Sequence, residues 1–588
     1  MEQQLKRNDF FLTTVYRKYM LASVLSMLAT SVAGIIDTVL VGWFLGEEGL
    51  SAMSLVSPVY LIYYTIGAVI GMGGSIAANL RAGKNDYEGY RRLFSLSFWM
   101  TIAACLLTTA GGLLLLEPMV AFFGGEGLIG EYTREYLFWY ILGGAGTLLI
   151  YIPLNFLKME GLPQISSALF MLSSGLNVVF TWLFMSPVFD MGIKGASIGT
   201  ALAMTATALW GLYILLKKGT NTSFVRVKPT WEMLGEILLC GSPNGLNNLL
   251  NSLKILVINS WILRIGAAAY LPVFSMVRNV SDLLCGVMIG VASALMPVVG
   301  VFYGERDNES IRRVCKKALQ IGGALSLIPA VFVAAFPGLV SSLFNLTDQA
   351  ARSGAETALL CLAISCLFAF FNLMLTGYFN TVGRPMLSNL ILVLRLLAYL
   401  APSVMLLGSL TGIEGIWLAL ILAEALTFGT ALLVMGLIRK KNPSLDRLLL
   451  DTTGEKEKEI SFSVGNTTED IMFASEKITE FCQEAELDMK KTMQISLALE
   501  EMLTVIIGRC MDPGKEQFVD IRIKKFEEDV LMRIRNTGNI FDPIRYYEEN
   551  KEDPEQMEQL LGIKMILGTA KDIEFRETFG TNNLLIRL

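Results

Sequence analysis

Ile35-Ile36-Asp37-Thr38-Val39-Leu40-Val41-Gly42 sets one carboxylate inside an apolar run that extends from about residue 18 to residue 45. Such a run exceeds the roughly 20 residues needed to cross a hydrocarbon core of about 30 Å. It therefore reads as a transmembrane helix. A carboxylate at that depth costs at least about 2.5 kcal/mol on insertion scales, so Asp37 needs a partner, a cation or a proton. Outward from this run, further apolar stretches of spanning length fall near 50–80, 93–117, 131–158, 164–187, 195–217, 232–264, 268–298, 314–340, 351–380, 385–408 and 413–438. Together they predict an all-α membrane protein of twelve transmembrane helices.

The composition agrees. Of 588 residues, 53% are apolar and only 17% charged, against about 25% charged in ordinary soluble proteins. The charge is unevenly placed. Up to Leu450 there are 30 Lys and Arg against 24 Asp and Glu, and from Asp451 onward 18 against 29. A net basic membrane part suits anionic lipid headgroups, and no basic stripe points to nucleic acid.

Cations cluster in alternate connections: Lys6, Arg7, Arg17 and Lys18; Arg81, Lys84, Arg91 and Arg92; Lys217, Lys218, Arg226 and Lys228; Arg306, Arg312 and Arg313; Arg439, Lys440 and Lys441. The intervening loops carry Glu47, Glu48, Glu117, Glu126 and Asp348. By the positive-inside rule both termini are cytoplasmic, in keeping with an even number of spans. The first apolar run is longer than the core of a signal peptide, so it reads as a retained helix.

The membrane part repeats itself. Gly161-x-Pro163 recurs as Gly383-x-Pro385, Gly192-x-x-Gly195 as Gly412-x-x-Gly415, and the basic loop Gly83–Arg92 as Gly304–Arg313. Matches at nearly one offset, in one order, predict two six-helix lobes, residues 1–225 and 226–445. An even number of spans per lobe makes them parallel repeats, an arrangement that often places substrate between the halves.

A polar linker, 446–459, precedes a different kind of sequence at 460–588. Strand-like runs at Ile460–Val464, Phe518–Lys524, Val530–Arg535, Ile573–Arg576 and Asn583–Leu588 alternate with amphipathic stretches at Thr468–Glu486, Met489–Cys510 and Pro554–Thr569. This pattern predicts a C-terminal α/β sandwich. Cys361 and Cys366 have C-x4-C spacing, but no second pair accompanies them and the chain has no histidine. They read as small buried residues rather than zinc ligands.

Candidate chemistry lies in the spans. Asp37 reads as a cation or proton site, or as a hydrogen-bonding structural acid. Asn177 and Thr181 share a helix face four residues apart, and Thr200 lies on the next span. Their oxygens suit a sodium site or a protonated acid, although such residues also hold membrane helices together. The second lobe carries Lys254, Arg278, Asp282 and Arg395, with Glu414 and Glu424 in the last span. Arg278 and Asp282, spaced i,i+4, are expected to neutralise one another. Arg395 is free to meet substrate or a carbonyl. The 28 methionines fit either an adaptable cavity or lipid-facing filler.

Asp37-Thr38-Val39-Leu40-Val41-Gly42, Gly49-Leu50-Ser51-Ala52-Met53, Ser57-Pro58, Arg81-Ala82-Gly83-Lys84-Asn85-Asp86, Gly161-Leu162-Pro163-Gln164 and Ile193-Lys194-Gly195-Ala196 resemble the MATE (multidrug and toxic compound extrusion) family. Cys240-Gly241-Ser242-Pro243 and Arg395 extend the resemblance into the second half, so that it covers roughly residues 10–440. It implies a substrate/cation antiporter with two six-helix bundles around a central cavity, with Asp37 as the cation or proton site and Asn177 and Thr200 as partners. Thr181 and Asn251 stand where many members carry further acids.

The tail resembles the anti-sigma-factor-type GHKL ATPase/kinase fold through Leu497-Ala498-Leu499-Glu500-Glu501-Met502-Leu503-Thr504, Asn536-Thr537-Gly538, Phe541-Asp542-Pro543, Leu561-Gly562-Ile563 and Gly580-Thr581-Asn582. The resemblance makes Glu501 the catalytic carboxylate. Val505 stands at the Mg²⁺-holding asparagine, Asn536 at the adenine-reading aspartate, and Leu560 at the first lid glycine. With Gly538 and Gly562, these residues outline a degenerate nucleotide site.

The sequence thus predicts a secondary transporter rather than an enzyme, in a bacterial cytoplasmic membrane. It needs no cofactor beyond H⁺ or Na⁺ as coupling ion, and it exports small amphipathic organic compounds through a cavity drawn from Asn251, Lys254, Arg278 and Arg395. Membrane lipid is a second partner, and a cytoplasmic regulatory protein is a candidate partner for the tail. The rival readings are a flippase for a lipid-linked precursor and a membrane-anchored signalling protein acting through its C-terminal domain.

Overall fold

The structure, a computed structural model, describes residues 9–84, 86–122, 127–218, 222–265, 270–342, 349–452, 458–511, 517–526, 529–552, 557–578 and 581–588. The chain divides into two compact units. One is Tyr16–Lys440; the other combines Met1–Val15 with Lys441–Leu588.

The larger unit is helical throughout. Among the described residues, nine helices are long and apolar enough to cross a membrane. The helix pair Gly130–Gly143 and Ala145–Met159, bent by 48°, makes a tenth where the two are counted as one span. The seventh expected span forms as the 34-residue helix Trp231–Arg264. It falls outside the apolar set because Glu232, Glu236, Asn244, Asn247, Asn248, Asn251 and Lys254 dilute it. The first two expected spans differ more. The backbone of Asp9–Gly83 is helical over 75 residues with Pro58 inside it. A straight rod would put Met27 and Val69 about 60 Å apart, yet Met27 lines one cavity with Asn247 while Val69 touches Gly245, so the run is not a straight rod. The connection expected around Glu47 and Glu48 is helical in its backbone, as glutamate favours, although Gly46 and Gly49 flank the pair.

The repeat seen in the sequence is built into the packing. Asp86 caps the Tyr87–Leu114 helix by accepting from Gly89 N, and Asp307 caps the Asn308–Lys317 helix by accepting from Ser310 N. Gly161 and Gly383 have φ of 82° and 70°, and Gly192 and Gly412 have 58° and 68°. Each pair turns the chain at an equivalent helix end, in a region that only glycine enters freely.

Contacts between the halves come in swapped pairs. A methyl on Gly245 would lie 2.6 Å from Val69 Cγ2, and one on Gly290 would lie 2.8 Å from Val24 Cα. Adding the repeat offset to Val24 and Val69 gives Gly245 and Gly290. Gly83 and Gly304 are equivalent to one another and also touch: a methyl on Gly83 would be 2.8 Å from Gly304 Cα. Beside them Asn79 Nδ2 donates to Met296 O and Pro297 O, at 3.3 and 3.1 Å. A two-fold pseudo-axis therefore passes between Gly83 and Gly304.

The smaller unit holds a five-stranded antiparallel sheet in the order β1-β2-β3-β5-β4, with β1 Glu459–Val464, β2 Val519–Phe526, β3 Asp529–Asn536, β4 Asp572–Thr578 and β5 Thr581–Arg587. Register places Ile521 opposite Ile534 and Ile534 opposite Leu584. Strand alternation then turns Val519, Ile521, Ile523, Met532, Ile534, Leu584 and Ile586 to one face. They share a core with the helices Thr468–Glu484, Met489–Cys510 and Met557–Thr569. Thr467 and Asp470 form a capping box on the first of these. The helix Pro543–Asn550 is an addition to the sequence reading. Its signal was present in Asp542-Pro543, a cap followed by proline in the first turn.

Candidate functional site

In the second lobe, five helices surround a cavity of about 420 Å³. Asn251 and Lys254 reach it from Trp231–Arg264, and Arg278 and Asp282 from Leu271–Ser293. Arg395 enters from a π-helical turn, Leu394–Ala398, and Glu424 from Ile413–Lys441. All four residues expected to form a substrate cavity thus line one space. Met27, on the first helix, adds a wall from the other lobe.

The strongest polar contact there joins Arg395 to Glu424. Nε donates to Oε1 at 2.5 Å, with the side chains 7% and 11% exposed. Asn372, wholly buried on Gln349–Thr381, donates to the other carboxylate oxygen at 2.8 Å and to the Glu424 carbonyl at 3.0 Å. The π turn widens the helix by one residue, and the guanidinium it carries meets the carboxylate 29 residues further on. Arg395 is therefore already engaged by an acid, which the sequence reading did not assign. The signal was a glutamate inside the last apolar run, the same kind of signal that singled out Asp37.

The expected pairing of Arg278 with Asp282 is corrected. Both are exposed, and among the described residues no ion pair within 4.0 Å joins them. Asp282 lies in the field of Arg278 first and of Lys254 next, so the expected partners act on each other through space without closing into an ion pair.

The first lobe brings two of its candidates together. Asn177 Nδ2 donates to Thr200 Oγ1 at 2.7 Å, and Thr200 Oγ1 donates to Ala196 O at 3.0 Å. Gly199 allows this approach: a methyl there would sit 2.8 Å from Thr181 N. Thr181 is fully buried, and its hydroxyl has no hydrogen-bond partner among the described residues. Asp37 is on the first helix, but its side chain lies outside the described residues.

In the tail, Glu501 and Gly562 are immediate neighbours, since a methyl on Gly562 would overlap Glu501 Oε2. Asn536 Oδ1 accepts from Gly538 N at 3.1 Å and from Asn582 Nδ2 at 2.8 Å. Val505 packs against the tail core, and Leu560 is buried within it.

The MatE family profile matches this chain twice, over residues 22–183 and 243–405. The chain belongs to the MatE family. The second MatE match begins where the repeat offset places it, and the pair accounts for both lobes. Members of the family are secondary transporters, so this is a multi-pass membrane transporter and not an enzyme. The multidrug export protein MepA of Staphylococcus aureus (strain MRSA252) is 26% identical over 441 residues, 74% of this chain and 94% of its own. MepA of Staphylococcus saprophyticus is 24% identical over 438 residues, 74% of this chain and 93% of its own. A crystal structure of MATE in complex with MaL6 has a TM-score of 0.69 at 23% identity, covering 73% of this chain and 96% of that one. A MOP superfamily transporter from Pyrococcus furiosus has a TM-score of 0.68 at 23% identity, over 73% of this chain and 97% of its own. These MatE likenesses establish the fold of the membrane unit.

Proposed function

We propose that this MatE protein is an antiporter, driven by H⁺ or Na⁺, that exports small amphipathic organic compounds across a bacterial cytoplasmic membrane by alternating access. The observation that carries the reading is the partly polar cavity of about 420 Å³ in a two-repeat transporter fold, a size within the usual range for small-molecule sites. The multidrug export activity named for the staphylococcal relatives supports the substrate class. In this reading the chain has twelve spans, as six per lobe, with both termini cytoplasmic. Asp37 is the coupling site, aided by Asn177, Thr181 and Thr200. The hydrogen bond between Asn177 and Thr200 supports a polar cluster on those helices. Cation binding at such a site favours whichever lobe arrangement binds it more tightly.

The tail is proposed to be a degenerate GHKL-like domain with a regulatory role, contacting a cytoplasmic protein. Its support is the proximity of Glu501 to Gly562, together with the apolar surroundings of Val505.

The test is dye efflux from energised vesicles carrying Asp37→Asn. Gradient-driven efflux is expected to vanish while expression and thermal stability hold, because the substitution removes the charge and barely changes volume. Efflux at the normal rate from the variant would sink the assignment.

A further inference from the structure

The cavity wall carries three cations, Lys254, Arg278 and Arg395, and two acids, Asp282 and Glu424. Arg395 and Glu424 neutralise each other at 2.5 Å. What remains is two cations against one acid, and among the described residues no ion pair within 4.0 Å ties Lys254 or Arg278 to Asp282. Charges placed only for structure close onto a partner, as Arg395 does. Charged side chains left without such closure, facing a cavity between spanning helices, mark the path of a substrate or an ion.

We propose that this cavity binds organic anions: amphiphiles with a carboxylate or phosphate headgroup, held by Lys254 and Arg278. The arginine fork matches the two oxygens of such a group, and the lysine adds a point charge beside it. Phe274, Leu396 and Met27 supply the apolar wall for the rest of the molecule. Asp282 sets the limit on affinity, because it competes for both cations. The inference rests on the reading of the chain as a transporter of amphiphiles and specifies what that transporter carries.

The experiment uses the full chain in liposomes with imposed H⁺ and Na⁺ gradients and three probes. Dansylglycine is a soluble carboxylate; dansylcadaverine carries the same fluorophore on a cation. NBD-phosphatidylglycerol, read by dithionite quenching, presents the anion on a lipid. The protein is expected to move an anionic probe in preference to dansylcadaverine. Dansylglycine movement identifies a soluble substrate, and accelerated flipping of the phospholipid identifies a lipid one. Lys254→Met with Arg278→Met should cut anion movement by about ten- to a hundredfold, the loss usual for bonds to a charged group. Asp282→Asn should raise it severalfold, a gain that misfolding cannot produce. If dansylcadaverine is moved, neither anionic probe is, and Asp282→Asn gives no gain, the inference is overturned while the export reading stands. If no probe of either charge moves, both fall.

Discussion

Removal of one half of the Arg395–Glu424 pair has the best-defined consequence of any single change in the membrane unit. The side chains are 7% and 11% exposed and 2.5 Å apart. Breaking a buried pair strands a desolvated charge at a cost of about 3–5 kcal/mol, whereas replacing both partners by apolar groups of similar volume is close to neutral. The adjoining cavity admits some solvation, so the lower figure, about 3 kcal/mol, is expected for Arg395→Met or Glu424→Leu alone. At about 2 °C per kcal/mol in a large unit, each single change should lower Tm by about 6 °C. The double change should return to within about 2 °C of wild type. Asn372 does not spoil the cycle, because its amide keeps a bond to the Glu424 carbonyl at 3.0 Å whatever the side chain. Thermal unfolding of the purified full chain in detergent, followed by size exclusion, measures all four corners. Single variants within about 2 °C of wild type, or a double variant that loses the sum of the two, would refute the reasoning.

Other outcomes follow from the same geometry. Gly304→Ala places a methyl 2.5 Å from the backbone of Gly83; it should cost about 1–3 kcal/mol, and combination with Gly83→Ala should be non-additive, which thermal unfolding will report. Cys482 and Cys510 have their thiols pushed up by burial to about 11 and about 12. Burial disfavours the thiolate, so neither should react with maleimide at pH 8 until the tail is denatured, as mass spectrometry can verify. The full chain should show no Mg²⁺-dependent ATP hydrolysis that Glu501→Ala abolishes, because Val505 offers the ion no oxygen; phosphate release assays decide this.

What the sequence revealed follows from periodicity. The apolar runs, the glycines at helix ends and the strand alternation of the tail are local signals, and most elements lie within a few residues of where those signals put them. The connection expected at Glu47 and Glu48 is helical in its backbone, since glutamates favour a helix even between Gly46 and Gly49. The site was legible in part. Asn251, Lys254, Arg278 and Arg395 were recognisable as unusual in a span, and they do line one cavity. Their pairing was not legible. An i,i+4 rule suggested Arg278 with Asp282, but the acid that closes on an arginine comes from another helix, Glu424 on Arg395. Which charges meet across helices depends on packing and on the π turn at Leu394–Ala398, and spacing along the chain encodes neither.

In the proposed alternating-access cycle, the contact of Gly83 with Gly304 has a mechanical meaning. When two bodies turn in opposite senses about a shared axis, points on the axis stay still and displacement grows with distance from it. Two bare backbones touching there would serve as a close pivot for such a motion, with the Asn79 bonds to Met296 O and Pro297 O beside it having to follow or give. Gln349–Thr381 has 33 residues and is about 50 Å long at 1.5 Å per residue. A tilt of about 10° pivoted at one end of such a helix carries its far end through about 9 Å. That is wider than a small aromatic ring, so in the proposed cycle a joint that barely moves would open or shut a passage at the opposite mouth.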